Sequence, residues 1–326
     1  MQKIKWGIIG CGDVTELKSG PAFNKVNDSE LVAVMRRDGA KAKDYAYRHK
    51  VPKWYDDAGL LINDPDINAI YIATPPSSHE SYTLAAIEAG KPVYVEKPMA
   101  MNYVTASNMA DTAAANNIKL SVAHYRRAWP LFKQVKKWLE EGLIGQPLFV
   151  RLDYHKIKLT PEELKTTKTA WRVDPAIAGG GLFNDFSPHQ LDIMYHLFGP
   201  VEKVQGVATN QLKEYPADDM VAGNILFKSG VVFNGTWCFN VTAGQDREWC
   251  VITGTKGTIG FSFFEIKPVV VTVDGVTKSI SFDAMQHVQQ PMIEQVVAYF
   301  LDKGPNPCSG EDGAEVMRLI DQFTAK

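Results

Sequence analysis

The chain has little of what would mark it for nucleic acid, membrane or metal. Of its 326 residues, 35 are Lys or Arg and 37 are Asp or Glu, a formal net charge of −2. No basic footprint for phosphate backbones or anionic lipid is therefore encoded. No apolar run is long enough to cross a bilayer, and Met1-Gln2-Lys3-Ile4-Lys5-Trp6 enters a strand pattern with no apolar signal region. A cytoplasmic protein without nucleic-acid or membrane partner is the expectation. Cysteine is scarce: Cys11, Cys238, Cys250 and Cys308 are scattered, with no C-x-x-C pair. That spacing argues against a zinc site or redox dithiol and for reduced thiols, so no metal is expected. Internal repeats and low-complexity segments are absent too.

What is present is a two-domain pattern, in a chain long enough to bury its core unaided. Short apolar runs at 4–9, 31–35, 69–73, 93–95 and 119–123 alternate with helical patterns at 14–26, 40–49, 78–89 and 103–116. Such alternation gives a parallel sheet covered on both faces. A helical pattern at 130–141 follows, then a strand at 146–156, a polar loop, and a helix around 187–198. Strands next come in quick succession at 201–208, 220–227, 231–239, 248–253, 258–263, 269–273 and 278–282, several joined by tight turns such as Ser229-Gly230 and Asp274-Gly275. Helices at 289–301 and 311–323 close the chain. The reading is an α/β Rossmann domain over 1–123 and an α+β domain with an open, mostly antiparallel sheet over 124–326.

Gly10-Cys11-Gly12-Asp13-Val14-Thr15 follows the first strand and opens a helix. Gly10 permits a tight turn, and Gly12 lets the backbone approach a pyrophosphate at the helix N-terminus beside Asp13 and Val14. The third glycine of G-x-G-x-x-G is Thr15, a departure from the fingerprint. Beyond the second strand stand Arg36, Arg37 and Asp38. Guanidinium groups there suit the 2′-phosphate of NADP, whereas Asp38 would suit the ribose of NAD, and NADP is favoured over NAD. Thr74-Pro75-Pro76-Ser77-Ser78-His79 makes a rigid turn at one strand end, and Glu96-Lys97-Pro98 a charged turn at another. Both lie at carboxyl ends of strands, where open α/β sheets bind ligands. Asp185, His189 and Asp192 share one face if their segment is helical, although Pro188 argues for a start no earlier than about Asp185.

Together the glycine loop, the Thr74…His79 turn, Glu96-Lys97-Pro98 and the Asp185…His189…Asp192 cluster resemble the Gfo/Idh/MocA family over the whole chain. The resemblance implies hydride transfer between nicotinamide and a carbon of a sugar, cyclitol or related diol, so the expected partner is a sugar-like or polyol small molecule. It assigns Lys97, Asp185 and His189 to catalysis, with Lys97 at the reacting oxygen and either Lys97 or His189 taking the proton. It implies a cis Lys97–Pro98 bond, a loop set by Glu96, cofactor contacts from Thr74, Pro75, His79 and Glu96, and Trp171-Arg172 reaching cofactor or substrate. A homodimer or homotetramer through the second-domain sheet is also implied. Alternatives are a non-catalytic dinucleotide-sensing regulator of the same fold, or an enzyme like dihydrodiol dehydrogenase or biliverdin reductase.

Overall fold

A computed structural model describes residues 2–325. Contacts divide the chain into two units. One runs to Trp129 and takes in Met285–Met317; the other is Pro130–Ala284 with the chain from Arg318 onward. A single cut between 123 and 124 therefore does not describe the contacts. The helix Gln290–Phe300 belongs to the first unit, where the Phe300 ring lies tilted 5.6 Å from Trp6 of the first strand. The division falls inside the last helix, Gly310–Phe323.

The first unit holds strands β1 (Ile4–Ile9), β2 (Ser29–Met35), β3 (Lys53–Tyr55), β4 (Ala69–Ile72), β5 (Val93–Val95) and β6 (Leu120–Val122). All pair in parallel, in the order β3-β2-β1-β4-β5-β6. Strand order reverses between β1 and β4, the switch point at which such sheets bind dinucleotides. The two strand ends touch there. A Cβ on Gly10, whose φ is +94°, would lie 2.7 Å from Thr74 Cγ2 and 2.8 Å from Thr74 N. The predicted helix at 14–26 breaks after Asp13–Leu17 into a 3-10 turn, Gly20–Asn24, because Pro21 has no N–H to continue it. Gly20 approaches Thr15 O and Tyr45 Oη too closely for any side chain.

The second unit holds β7 (Pro147–Ile157), β8 (Val201–Thr209), β9 (Met220–Phe227), β10 (Val232–Val241), β11 (Arg247–Gly254), β12 (Gly257–Phe261), β13 (Val269–Val273) and β14 (Val276–Ile280). Their order is β14-β13-β12-β11-β7-β10-β9-β8, antiparallel except for β7 beside β10. Alternation along β10 sends Phe233, Trp237 and Phe239 into the core and leaves Val232 and Asn234 exposed. The helix Leu182–Phe198 packs on the buried face: Phe183 meets Trp237 edge-on at 5.1 Å, and Trp237 Nε1 donates to Gln190 Oε1 at 2.6 Å.

That helix starts earlier than Pro188 implies, with Gly181 as N-cap at φ +85° and Pro188 enclosed within it. Proline inside a helix removes one i→i−4 bond but does not forbid it. Gly181 lies against Ala217 Cβ, which leaves no room for a side chain at the turn into the helix.

Candidate functional site

In the glycine loop Gly10 and Cys11 N–H donate to Met35 O at 2.9 and 3.1 Å, tying the loop to the end of β2. Thr15 explains the missing third glycine. Its hydroxyl donates to Gly12 O at 2.8 Å and accepts the Gly12 N–H at 3.0 Å, so the threonine caps the loop it ends. Thr15 and Glu16 N–H return to Gly12 O, whereas Asp13 and Val14, the first helical residues, have no intrahelical acceptor. A Cβ on Gly12 would meet nothing nearer than Gly10 O at 3.9 Å. Room at Gly12, followed by two helix-start N–H groups with no intrahelical acceptor, fits the pyrophosphate of a dinucleotide. Burial pushes the Cys11 thiol up to about 11, against the pull of Arg36.

Arg36 and Arg37 are exposed beyond β2. Arg36 Nη1 donates to Cys11 O at 3.3 Å, which sets its guanidinium beside the glycine loop. Asp38 is engaged elsewhere. It caps the helix Gly39–His49, accepting the Lys41 N–H at 3.2 Å and pairing with Lys41 Nζ at 3.3 Å.

The Thr74 turn and the Lys97 turn are locked together by His79, which is fully buried. Its Nε2 faces Thr74 O at 2.7 Å, and its Nδ1 faces Pro98 O at 3.0 Å and Met99 O at 3.3 Å. The ring is packed between backbone carbonyls of both turns, one side receiving its single N–H while it is neutral, so His79 braces the two turns instead of reaching a ligand itself. Burial pulls its pKa down, although the Thr74 carbonyl and Glu96 oppose that. The Lys97–Pro98 peptide is cis.

Glu96 is buried, and its oxygens are occupied by the chain. Oε1 accepts from Tyr71 Oη and from Gln289 Nε2, each at 2.6 Å, and Oε2 accepts the Lys97 N–H at 3.1 Å. Burial, then the Glu96 charge, drives the Tyr71 phenol well above its usual range. Neither Tyr71 nor Gln289 was singled out by the sequence. A tyrosine in an apolar strand and a glutamine 193 positions away carry no local signal.

In the second unit Asp185, His189 and Asp192 all lie on the helix Leu182–Phe198, as helical spacing requires. Asp185 Oδ2 accepts from Arg172 Nε at 2.9 Å. Arg172 is held in turn by Lys168 O and lies 4.5 Å over the Trp171 ring. His189 is buried, and its ring meets Phe264 at 5.6 Å. Phe264 also packs on Phe186 and Tyr154, each at 5.4 Å. Its loop is fixed by the buried Glu248 carboxylate, which accepts from Ser262 Oγ and from the N–H groups of Phe263, Phe264 and Glu265. Lys97 belongs to the first unit, and Asp185 and His189 to the second.

Among the described residues no three His, Cys, Asp or Glu side chains form a group that could hold a metal. Nor is any helix among them long and apolar enough to cross a membrane.

Comparison with known proteins supplies the rest. Residues 4–124 match the model of the oxidoreductase family with an NAD-binding Rossmann fold, and residues 132–260 match the GFO/IDH/MocA C-terminal domain. Oxidoreductase P35 of Formosa agariphila is 44% identical over 98% of each chain. A 1,5-anhydro-D-fructose reductase of Ensifer adhaerens is 28% identical, covering 81% of this chain and 78% of its own. Among solved structures, a levoglucosan dehydrogenase in complex with NADH and levoglucosan superposes with a TM-score of 0.86 at 23% identity, over 99% of this chain and 97% of its own. Two consecutive family models and a relative similar from end to end leave one assignment: the chain belongs to the Gfo/Idh/MocA family and is an oxidoreductase with an NAD-binding Rossmann domain.

Proposed function

We propose that the chain transfers hydride between a nicotinamide dinucleotide, NADP by preference, and a carbinol carbon of a sugar, cyclitol or related diol. The observation that carries this reading is the Lys97 turn, anchored through the buried Glu96 at the carboxyl end of β5. A turn so held keeps a lysine at the ligand-binding edge of the sheet, ready to act on an oxygen. The anhydro-sugar reductase and the levoglucosan dehydrogenase support a carbinol or carbonyl carbon as the reacting centre.

Gly12, Asp13 and Val14 would hold the pyrophosphate. Arg36, lying beside the loop while Asp38 is engaged as a helix cap, would hold a 2′-phosphate, with Arg37 next to it. The bound nicotinamide supplies hydride exchange. Lys97 Nζ stabilises the charge that develops on the substrate oxygen, and either Lys97 or the His189 ring holds the hydroxyl proton. Asp185, kept in place by Arg172, would bind a substrate hydroxyl, and Phe264 is an apolar neighbour of His189. Trp171 supports the Arg172 guanidinium from below.

The test is a panel of sugars, inositols and dihydrodiols followed by NADPH and NADH absorbance, with Lys97→Ala alongside. Turnover lost in Lys97→Ala is the expected result, and turnover untouched by it overturns the mechanism. Cofactor binding without turnover on any member would instead favour a dinucleotide-sensing role.

Self-association through the second sheet is proposed as well. Phe149, Arg151, Trp249 and Val251 share its outward face by register, and Phe149 is 44% exposed. Sedimentation velocity of Trp249→Arg would show a smaller species if this face pairs, and an unchanged one if it does not.

A further inference from the structure

Gln289 lies outside every motif of the chain, yet it joins the two elements on which the proposed chemistry depends. Its backbone N–H donates to Lys18 O at 3.2 Å, directly after the helix Asp13–Leu17 that follows the glycine loop. Two residues earlier, His287 Nδ1 contacts Leu17 O at 2.6 Å. The Gln289 side-chain amide donates to Glu96 Oε1 at 2.6 Å, and Glu96 Oε2 accepts the N–H of Lys97. One residue is thus bonded to the end of the dinucleotide-loop helix by its backbone and to the Lys97 turn through a single carboxylate.

Charge and burial make this more than filling. Glu96 is 4% exposed and Gln289 1% exposed. A carboxylate taken out of water needs donors on its oxygens, and removing one leaves a group that rearranges or draws in water. Among the donors on Glu96 is the peptide N–H of Lys97 itself, so any adjustment of the carboxylate turns the peptide plane that carries Lys97. Tyr71 supplies another, from β4, and its hydroxyl also lies 3.2 Å from Ser19 Oγ.

We infer that Gln289 is a positioning residue for Lys97, acting through Glu96, with Tyr71 as its partner on the same oxygen. The inference rests on the proposed role of Lys97, but its test does not. The full-length protein is reductively methylated with 13C-formaldehyde, and the Lys97 dimethylamine resonance is assigned by its loss in Lys97→Arg. That resonance is then titrated in wild type, Gln289→Leu and Tyr71→Phe, with melting temperature measured in parallel. Expected is a displacement of the Lys97 midpoint by at least about half a pH unit in both variants and in the same direction. The Lys53 resonance, whose ammonium is paired with Asp64 and Asp66, should stay in place. A lowered melting temperature with the Lys97 midpoint unmoved in both variants overturns the inference and leaves Gln289 a structural residue. If Gln289→Leu does not fold, Tyr71→Phe, which removes a hydroxyl and little volume, decides by itself. Turnover that survives Lys97→Ala would defeat the proposed mechanism and leave this result standing, so the two failures are separable.

Discussion

Arg172 Nε donates to Asp185 Oδ2 at 2.9 Å, and both side chains are mostly buried, with exposures of 22% and 16%. Trp171 and Arg172 therefore meet the proposed catalytic face through Asp185. A charge-assisted bond of this kind contributes about 1.5–3 kcal/mol, more than an exposed pair. Arg172→Met is expected to lower kcat/KM on the substrate found by the panel by about tenfold to a hundredfold. Arg172→Lys should recover only part of it, because an ammonium lacks the planar fork. Steady-state kinetics with both variants checks the order.

The two glycines of the loop should fail in different ways. Gly10→Ala forces a side chain into φ +94° and against Thr74, and it is expected to lose about 1–3 kcal/mol of stability. Gly12, at φ −144°, has room for a methyl group. Gly12→Ala should melt like wild type while its Kd for dinucleotide rises by about tenfold, a step of roughly 1.4 kcal/mol. Differential scanning calorimetry with fluorescence titration of NADPH separates the two. Weak binding in neither variant would remove the loop from the cofactor site.

Cofactor preference should follow Arg36. Replacing it with Asp, together with Arg37→Ala, takes away the cations beside the loop and places a carboxylate there. Loss of one charge-assisted bond to a phosphate, about 1.5–3 kcal/mol, raises the Kd for NADPH by about tenfold to a hundredfold and leaves NADH bound as before or tighter. An unchanged ratio of the two constants would remove Arg36 and Arg37 from the cofactor site and, with them, the case for NADP.

His79 gives the fold a dependence on pH with a definite sign. Burial lowers its pKa below the ordinary 6.5, so the folded state keeps the ring neutral where the unfolded chain would protonate it. Its contribution is fully present above the unfolded value and is lost as pH falls through the folded one. Melting temperature should therefore drop more steeply below pH 6.5 in wild type than in His79→Gln, which keeps an amide between the same turns but does not titrate. Parallel slopes for the two proteins would refute the assignment.

Much of this was legible in the residues themselves. The glycine loop, the proline turn and Glu96-Lys97-Pro98 announce themselves because each is a local departure from strand or helix at a strand end. The strand succession of the second unit is readable for the same reason, from its turns. What escaped is tertiary or marginal. Lys53-Trp54-Tyr55 is too short to alternate, and as β3 it is an edge strand recognisable only by its pairing with β2. The early start of the helix Leu182–Phe198 depends on how Gly181 fits against Ala217, which outweighs the usual discouragement from Pro188. Gln289, Tyr71 and Glu248 matter only through partners distant in the chain, and no spacing rule reaches them.

The return of Met285–Met317 to the first unit makes the nucleotide-binding half a discontinuous module. Trp129 Nε1 donates to Val288 O at 2.8 Å, Arg127 pairs with Asp312 at 2.8 Å, and Ser121 Oγ donates to Cys308 O at 3.0 Å. Expressed alone, residues up to Trp129 would leave each of these groups without its acceptor and Glu96 without Gln289. A chimera that exchanges cofactor halves between relatives must then carry both stretches from one parent, since a splice at a single junction would pair a lysine turn from one lineage with a brace from another.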